Sequence, residues 1–106
     1  MQFFVYILKC SDDTYYTGSY RGDDLQHRVN DHNNGLRKDA YTFRRRPVEL
    51  VWNDVFDNPY DMIDCERRIK GWSRKKKEAL IRGDEEALPD LSRRRSQVFH
   101  DGKKPK

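Results

Sequence analysis

Three groups of residues in this 106-residue chain have the types and spacing to do chemistry. The first is Tyr6 and Tyr16 with Gly18. If residues 11–13, "SDD", form a three-residue loop between two strands, residue 8 opposes 16 and residue 6 opposes 18. Side chains alternate faces along a strand, so the two phenols then share a face and Gly18 lies bare across from Tyr6, open to a phosphate. A two-residue loop would send the phenols to opposite faces, and strand aromatics with no chemical role are the plain alternative. Tyr15 points to the other face as packing; Tyr20 shares the parity of Tyr16 but lies past the glycine, at the border of any cleft. The second group is Arg28 with His32. Leu25, Val29 and His32 fall on one helical stripe, so a titratable imidazole occupies a position that the pattern reserves for core, with a guanidinium at its edge. A satisfied, half-buried histidine beside a surface arginine is the bland alternative. The third is Glu66, which shares a helix face with Met62, Ile69 and Ser73. A carboxylate turned with the apolar stripe needs a cation, either Arg28 or a metal ion, because burying it unpaired is costly.

The elements that must position these groups can be read from the pattern. "QFFVYILKC" (2–10) is a continuous apolar run, as for a central strand covered on both faces, and 14–20 follow as its hairpin partner. Asp23 or Asp24 offers an N-cap and Gly35 a stop around a helix of about ten residues. Residues 36–46 are a basic loop. "PVELVWNDVF" (47–56) is a third strand, at an edge because of its proline. A long helix runs from "NPYDM" to about residue 82 through Gly71, and "EEALPDLS" could hold one more short helix. The order β-β-α-β-α, with that optional last helix, makes a small α+β domain with an antiparallel three-stranded sheet. The expected division is a domain over 1–90 and a basic, flexible tail over 91–106.

Bulk properties narrow the function classes. The net charge is +4, with 35% hydrophobic and 38% charged residues, which makes a small core under a densely charged surface. Residues 66–82 carry eight basic residues against two acids, and Arg44, Arg45 and Arg46 stand in one run. Segregated charge of this kind suits a polyanion, with Arg44, Arg45, Arg46, Arg67, Lys70, Arg74 and Lys75 as candidate nucleic-acid contacts. Cys10 and Cys65 lack the spacing of a zinc site and are too few for a disulfide framework. No stretch approaches the ~20 apolar residues of a membrane span, and no signal peptide opens the chain, so the expected location is the cytoplasm.

Val5-Tyr6-Ile7-Leu8, Tyr16-Thr17-Gly18, Arg28 with His32-Asn33, "AYTFRRRPVELVW" and "CERRIKGWSRKKKEALI" together resemble the GIY-YIG nuclease superfamily. The resemblance covers about residues 3–83 and is greatest to the short stand-alone, single-domain bacterial members. Related domains include the N-terminal nuclease domain of the excision-repair subunit that cuts 3′ of a lesion. The resemblance implies a metal-dependent endonuclease that hydrolyses phosphodiester bonds in DNA, in repair or DNA processing. It implies catalytic roles for Tyr6, Tyr16, Arg28 and His32, a motif glycine at Gly18, and one Mg²⁺ or Mn²⁺ on Glu66. Tyr16, helped by His32 or Tyr6, would take a proton from the attacking water, a task for which cations must favour the charged form of a phenol whose ordinary pKa is about 10. Arg28 would neutralise charge on the phosphorus. The neighbours depart from the family pattern: Val-Tyr-Ile replaces Gly-Ile-Tyr, and Tyr-Thr-Gly replaces Tyr-Ile-Gly. In the absence of an appended DNA-binding domain, affinity and sequence selectivity for the DNA, branched or damaged, would be low, or a protein partner would supply them. A non-catalytic nucleic-acid-binding module on the same fold is the alternative, and a protein-interaction domain with an incidental basic surface is a third reading.

Overall fold

The computed structural model describes residues 1–36 and 38–84. The tail over 91–106, the boundary at residue 90, the helix anticipated in "EEALPDLS" and Arg37 lie outside the described residues. The chain forms two compact units, Met1–Gly71 and a second that begins at Trp72.

In the first unit, β1 (Gln2–Lys9), β2 (Tyr15–Gly22) and β3 (Glu49–Phe56) form an antiparallel sheet of order β2-β1-β3. The apolar run is the central strand, and Val5, Tyr6, Ile7 and Leu8 are all at most 1% exposed. Consecutive burial requires cover on both faces, since neighbours point opposite ways. On one face, Tyr6, Leu8 and Cys10 cluster with Leu25, Val29 and Val48. On the other, Val5 and Ile7 are closed off, and the second long helix, α2 (Pro59–Lys70), approaches all three strands and buries its own Cys65 and Ile69. Each such burial is worth roughly 1.5–3 kcal/mol.

The hairpin has the odd-length loop on which the tyrosine register depends. The Asp13 N–H donates to the Cys10 carbonyl at 2.9 Å, and the Cys10 N–H donates to the Thr14 carbonyl at 2.8 Å. Asp13 adopts a left-handed φ of 68°. This is the three-residue connection made of a type I turn and a left-handed residue. Asp12 locks it by accepting hydrogen bonds from the Thr14 hydroxyl (2.6 Å) and N–H (3.2 Å). Tyr6 is thereby paired with Gly18, and Leu8 with Tyr16.

Helix α1 (Leu25–Asn33) starts where the Asp24 carboxylate accepts the Gln26 N–H at 3.0 Å. It stops at Gly35, φ 68°, where the Gly35 and Leu36 N–H groups cap the carbonyls of His32 and Asp31. The basic loop holds a short 3₁₀ turn, Phe43–Arg45. Strand β3 is an edge strand, as the proline signals, but begins two residues after Pro47, and a register shift against Ile7 and Leu8 interrupts it.

The long helix expected up to residue 82 is two helices. Helix α2 stops where the Gly71 N–H closes on the Arg68 carbonyl at 3.2 Å. In the second unit, the Ser73 hydroxyl accepts the Lys76 N–H at 3.2 Å and starts α3 (Arg74–Arg82). A glycine that weakens a helix, followed two residues later by a good N-cap, favours ending and restarting over running through.

Candidate active site

The hairpin register sets the floor of the site. Gly18 is buried, and the phenol of Tyr6 lies over it with the Tyr16 ring beside. A β-carbon at residue 18 would come within 2.6 Å of Tyr6 Oη and 2.9 Å of Tyr16 Cε2. The glycine does not leave bare backbone for a phosphate, as the register alone suggested; the missing side chain makes the hollow in which the two rings sit. Their centroids are 6.3 Å apart.

His32 joins them from α1. It is 2% exposed, its Nε2 lies 3.1 Å from Tyr6 Oη, and its ring stands edge-on to Tyr16 at 5.5 Å. The core-like stripe of α1 and the chemical reading of His32 therefore describe the same position. Its Nδ1 lies 2.7 Å from Thr42 Oγ1, a buried hydroxyl that sequence reasoning missed. Thr42 sits in the aperiodic loop, where no pattern signals burial. Tyr41, also missed, stacks on Tyr16 at 6.0 Å, and the Arg45 guanidinium lies 3.9 Å from its ring centre. The two phenols differ in their ties. Tyr6 is buried and held by His32, whereas Tyr16 is half-buried and its hydroxyl has no hydrogen-bond partner among the described residues.

Two braces hold α1 and the loop against the sheet. The Asn33 amide donates to the Val48 carbonyl at 2.9 Å, and its oxygen accepts the Val48 N–H at 2.7 Å. The Ser11 N–H donates to the Arg45 carbonyl at 2.9 Å, and Arg45 pairs with Asp12 at 3.1 Å.

Arg28 is half-buried on α1, with its guanidinium 4.8 Å from the Tyr20 ring centre and a long 3.5 Å contact to the Ser19 carbonyl. Tyr20, placed at the border by its parity, thus carries the arginine. Glu66 is on α2 with its side chain 18% exposed, and its partner is Lys70 at 3.2 Å, one turn on, rather than Arg28. Lys70 is therefore engaged with a carboxylate, as Arg74 is with Glu78 (3.1 Å). The arginine run is not uniform either. Arg44 faces solvent, while Arg45 is tied to Asp12 and Arg46 donates to the Phe43 carbonyl at 2.8 Å and lies 4.4 Å from that ring. Arg67 and Lys75 are exposed.

The Thr14 hydroxyl holds the Asp12 carboxyl below the usual aspartate range, and burial pushes the Cys10 thiol up. Among the described residues, no three His, Cys, Asp or Glu side chains gather as a metal cage. Glu66 instead offers a single hard oxygen donor, which fits a cation such as Mg²⁺ that keeps most of its waters and completes its shell with substrate phosphate.

A model of the GIY-YIG catalytic domain matches residues 2–79. The chain belongs to the GIY-YIG family. Among its relatives, a UPF0213 protein of Staphylococcus saprophyticus is 42% identical over 78 residues, which is 74% of this chain and 92% of the relative. Another from Bacillus pumilus is 41% identical over 78 residues, 74% of this chain and 76% of the relative. The solution NMR structure of a UPF0213 protein from Bacillus halodurans is 36% identical, with a TM-score of 0.48, and covers 76% of this chain and 83% of that one. The matched span contains every GIY-YIG position named above, from Tyr6 to Glu66, and extends into α3. No described helix is long and apolar enough to cross a membrane.

Proposed function

We propose that this GIY-YIG protein is a metal-dependent endonuclease that hydrolyses phosphodiester bonds in DNA, with a role in DNA repair or processing. The observation that carries the reading is the unequal pair of phenols over Gly18. Tyr6 is buried and tied to His32, whereas the Tyr16 hydroxyl, on a half-buried ring and without a hydrogen-bond partner among the described residues, is available to a water or a phosphate oxygen.

In the mechanism that this arrangement supports, Tyr16 first loses its phenolic proton to solvent, and the phenolate then takes a proton from the attacking water as that water's oxygen bonds to phosphorus and the leaving oxygen departs. Tyr6 and His32 hold its ring in place and supply the polar surroundings for that transfer. Arg28 keeps guanidinium N–H donors free of its one long backbone contact and turns them to the phosphoryl oxygens as negative charge builds. Glu66 would hold one Mg²⁺ or Mn²⁺, which when bound supplies Lewis-acid stabilisation of the leaving oxygen. Lys70 would have to give up Glu66 for that, which leaves its ammonium to the substrate backbone with Arg44 and Arg67; Lys75, exposed on the second unit, is a separate candidate for a phosphate contact. Arg45 and Arg46 are read as braces of the loop rather than as primary phosphate contacts.

The experiment incubates the protein with duplex, single-stranded and branched DNA and with RNA, in Mg²⁺, in Mn²⁺ and in EDTA. Cleavage that needs the metal and falls at least ~100-fold in Tyr16→Phe protein of unchanged stability supports the reading. Salt-sensitive binding without cleavage on any substrate points to the non-catalytic binding module instead.

A further inference from the structure

We propose that Thr42 is a positioning residue: it fixes the tautomer of His32 and thereby turns an imidazole lone pair onto the Tyr6 phenol. The functional half of this inference rests on the nuclease reading; the structural half does not.

His32 is 2% exposed and Thr42 is 1% exposed, so their polar atoms need hydrogen-bond partners inside the protein. The ring nitrogens meet two oxygens, Thr42 Oγ1 at 2.7 Å from Nδ1 and Tyr6 Oη at 3.1 Å from Nε2. A neutral imidazole has one N–H and one lone pair, which leaves two arrangements. In one, Nδ1–H donates to Thr42 and Nε2 accepts from Tyr6. In the other, Nε2–H donates to Tyr6 and Nδ1 accepts from Thr42. Elementary acidity separates them. A phenol is a far stronger acid than an alkanol, and its oxygen lone pair is drawn into the ring, so it is the better donor and the poorer acceptor. The first arrangement gives both oxygens the role that suits them. It is also the one in which the bond at one nitrogen decides what the other offers.

Thr42 is in a position to impose this. Its carbonyl accepts the Arg45 N–H at 2.9 Å at the start of the 3₁₀ turn, and the Arg45 carbonyl is in turn tied to Ser11 at 2.9 Å. The hydroxyl is thus presented to His32 from a backbone fixed at both ends of the turn. The consequence reaches the reactive side. A Tyr6 hydrogen committed to Nε2 leaves only acceptor lone pairs on its oxygen, so Tyr6 can accept a hydrogen bond from a water but does not compete with it as a donor.

The test compares wild type with Thr42→Val, which keeps the shape and loses the hydroxyl, and Thr42→Ser, which keeps the hydroxyl. Long-range ¹H–¹⁵N NMR of histidine-labelled protein identifies the protonated nitrogen of His32, with His32→Gln protein assigning the signal. Wild type and Thr42→Ser are expected to carry the proton on Nδ1, and Thr42→Val to move it toward Nε2. In the cleavage assay, Thr42→Val should lower kcat about 100-fold with KM unchanged, and Thr42→Ser should restore most of it. An Nε2–H tautomer in the wild type overturns the inference even if Thr42→Val does not fold. So does a tautomer that is the same in Thr42→Val, or one that shifts without any change in kcat. A wild type that holds the Nδ1–H tautomer but cleaves nothing removes the nuclease reading and supports the structural half.

Discussion

Gly18→Ala is the substitution on which the geometry of the site makes its sharpest demand. Gly18 is not among the glycines of positive φ, so its backbone would accept alanine. At an unstrained position that exchange stabilises a protein by about 0.4–1 kcal/mol, chiefly by restricting the unfolded chain. Here the new carbon would stand 2.6 Å from Tyr6 Oη and 2.7 Å from Tyr6 Cζ. The ring would have to retreat by roughly 0.8 Å to reach ordinary contact. It has nowhere to go, being 1% exposed and 3.1 Å from His32. Overpacking of this kind costs about 1–3 kcal/mol, and a disrupted buried hydrogen bond adds about 1. The expected net loss is about 1–3.5 kcal/mol, a fall of roughly 5–25 °C in Tm for a chain of this size. Gly71→Ala is the control, because its β-carbon would meet nothing nearer than the Arg68 carbonyl at 3.7 Å. Urea unfolding of the two variants decides the matter. A Gly18→Ala protein no less stable than Gly71→Ala would show that the phenols do not occupy the hollow.

Three further outcomes follow from the same structure. Glu66→Gln should raise the Mn²⁺ concentration for half-maximal cleavage, while Lys70→Ala, which removes the competing ammonium 3.2 Å away, should lower it; a metal titration of both reads the sign. Arg67→Ala and Lys75→Ala should each reduce the slope of log binding constant against log salt concentration by ~1, measured by fluorescence anisotropy with labelled DNA, if those exposed cations meet phosphates. The depressed Asp12 carboxyl contributes stability that is present above the unfolded aspartate pKa of about 3.9 and is lost as pH falls through the lower folded value. Urea midpoints between pH 5 and pH 2 should therefore fall less steeply in Thr14→Val, which removes the hydroxyl that holds Asp12 down.

Much of the frame was legible because it is local. The apolar run of β1, the odd loop at 11–13 and the caps at Asp24 and Gly35 each depend on a few neighbouring residues, and the structure has them. The register then followed by counting. What was not legible depends on contacts across the chain. Thr42 is buried where it meets His32, ten residues away in an aperiodic loop, whereas the Lys70–Glu66 pair is local, an i,i+4 pair that helix spacing allows. The helix break at Gly71 is local, yet glycine alone understated it; the cap two residues later was the missing half of the signal. Composition also could not tell Arg44, Arg45 and Arg46 apart, since it counts charges without showing which are tied locally.

Tyr6 is a member of the apolar cluster with Leu8, Leu25 and Val29, and it is also the phenol tied to His32. A chain with 35% hydrophobic residues has little interior to spare, and here one ring both fills the core and presents a polar atom to His32. The two purposes separate by atom. The ring carbons fill the space above Gly18, and the oxygen alone meets the imidazole. It follows that Tyr6→Phe leaves the packing intact and removes the link to His32, whereas a smaller side chain would remove both. Gly18 is thus coupled to chemistry through packing: the hollow it leaves fixes where the Tyr6 oxygen lies, and that position decides whether His32 can reach it.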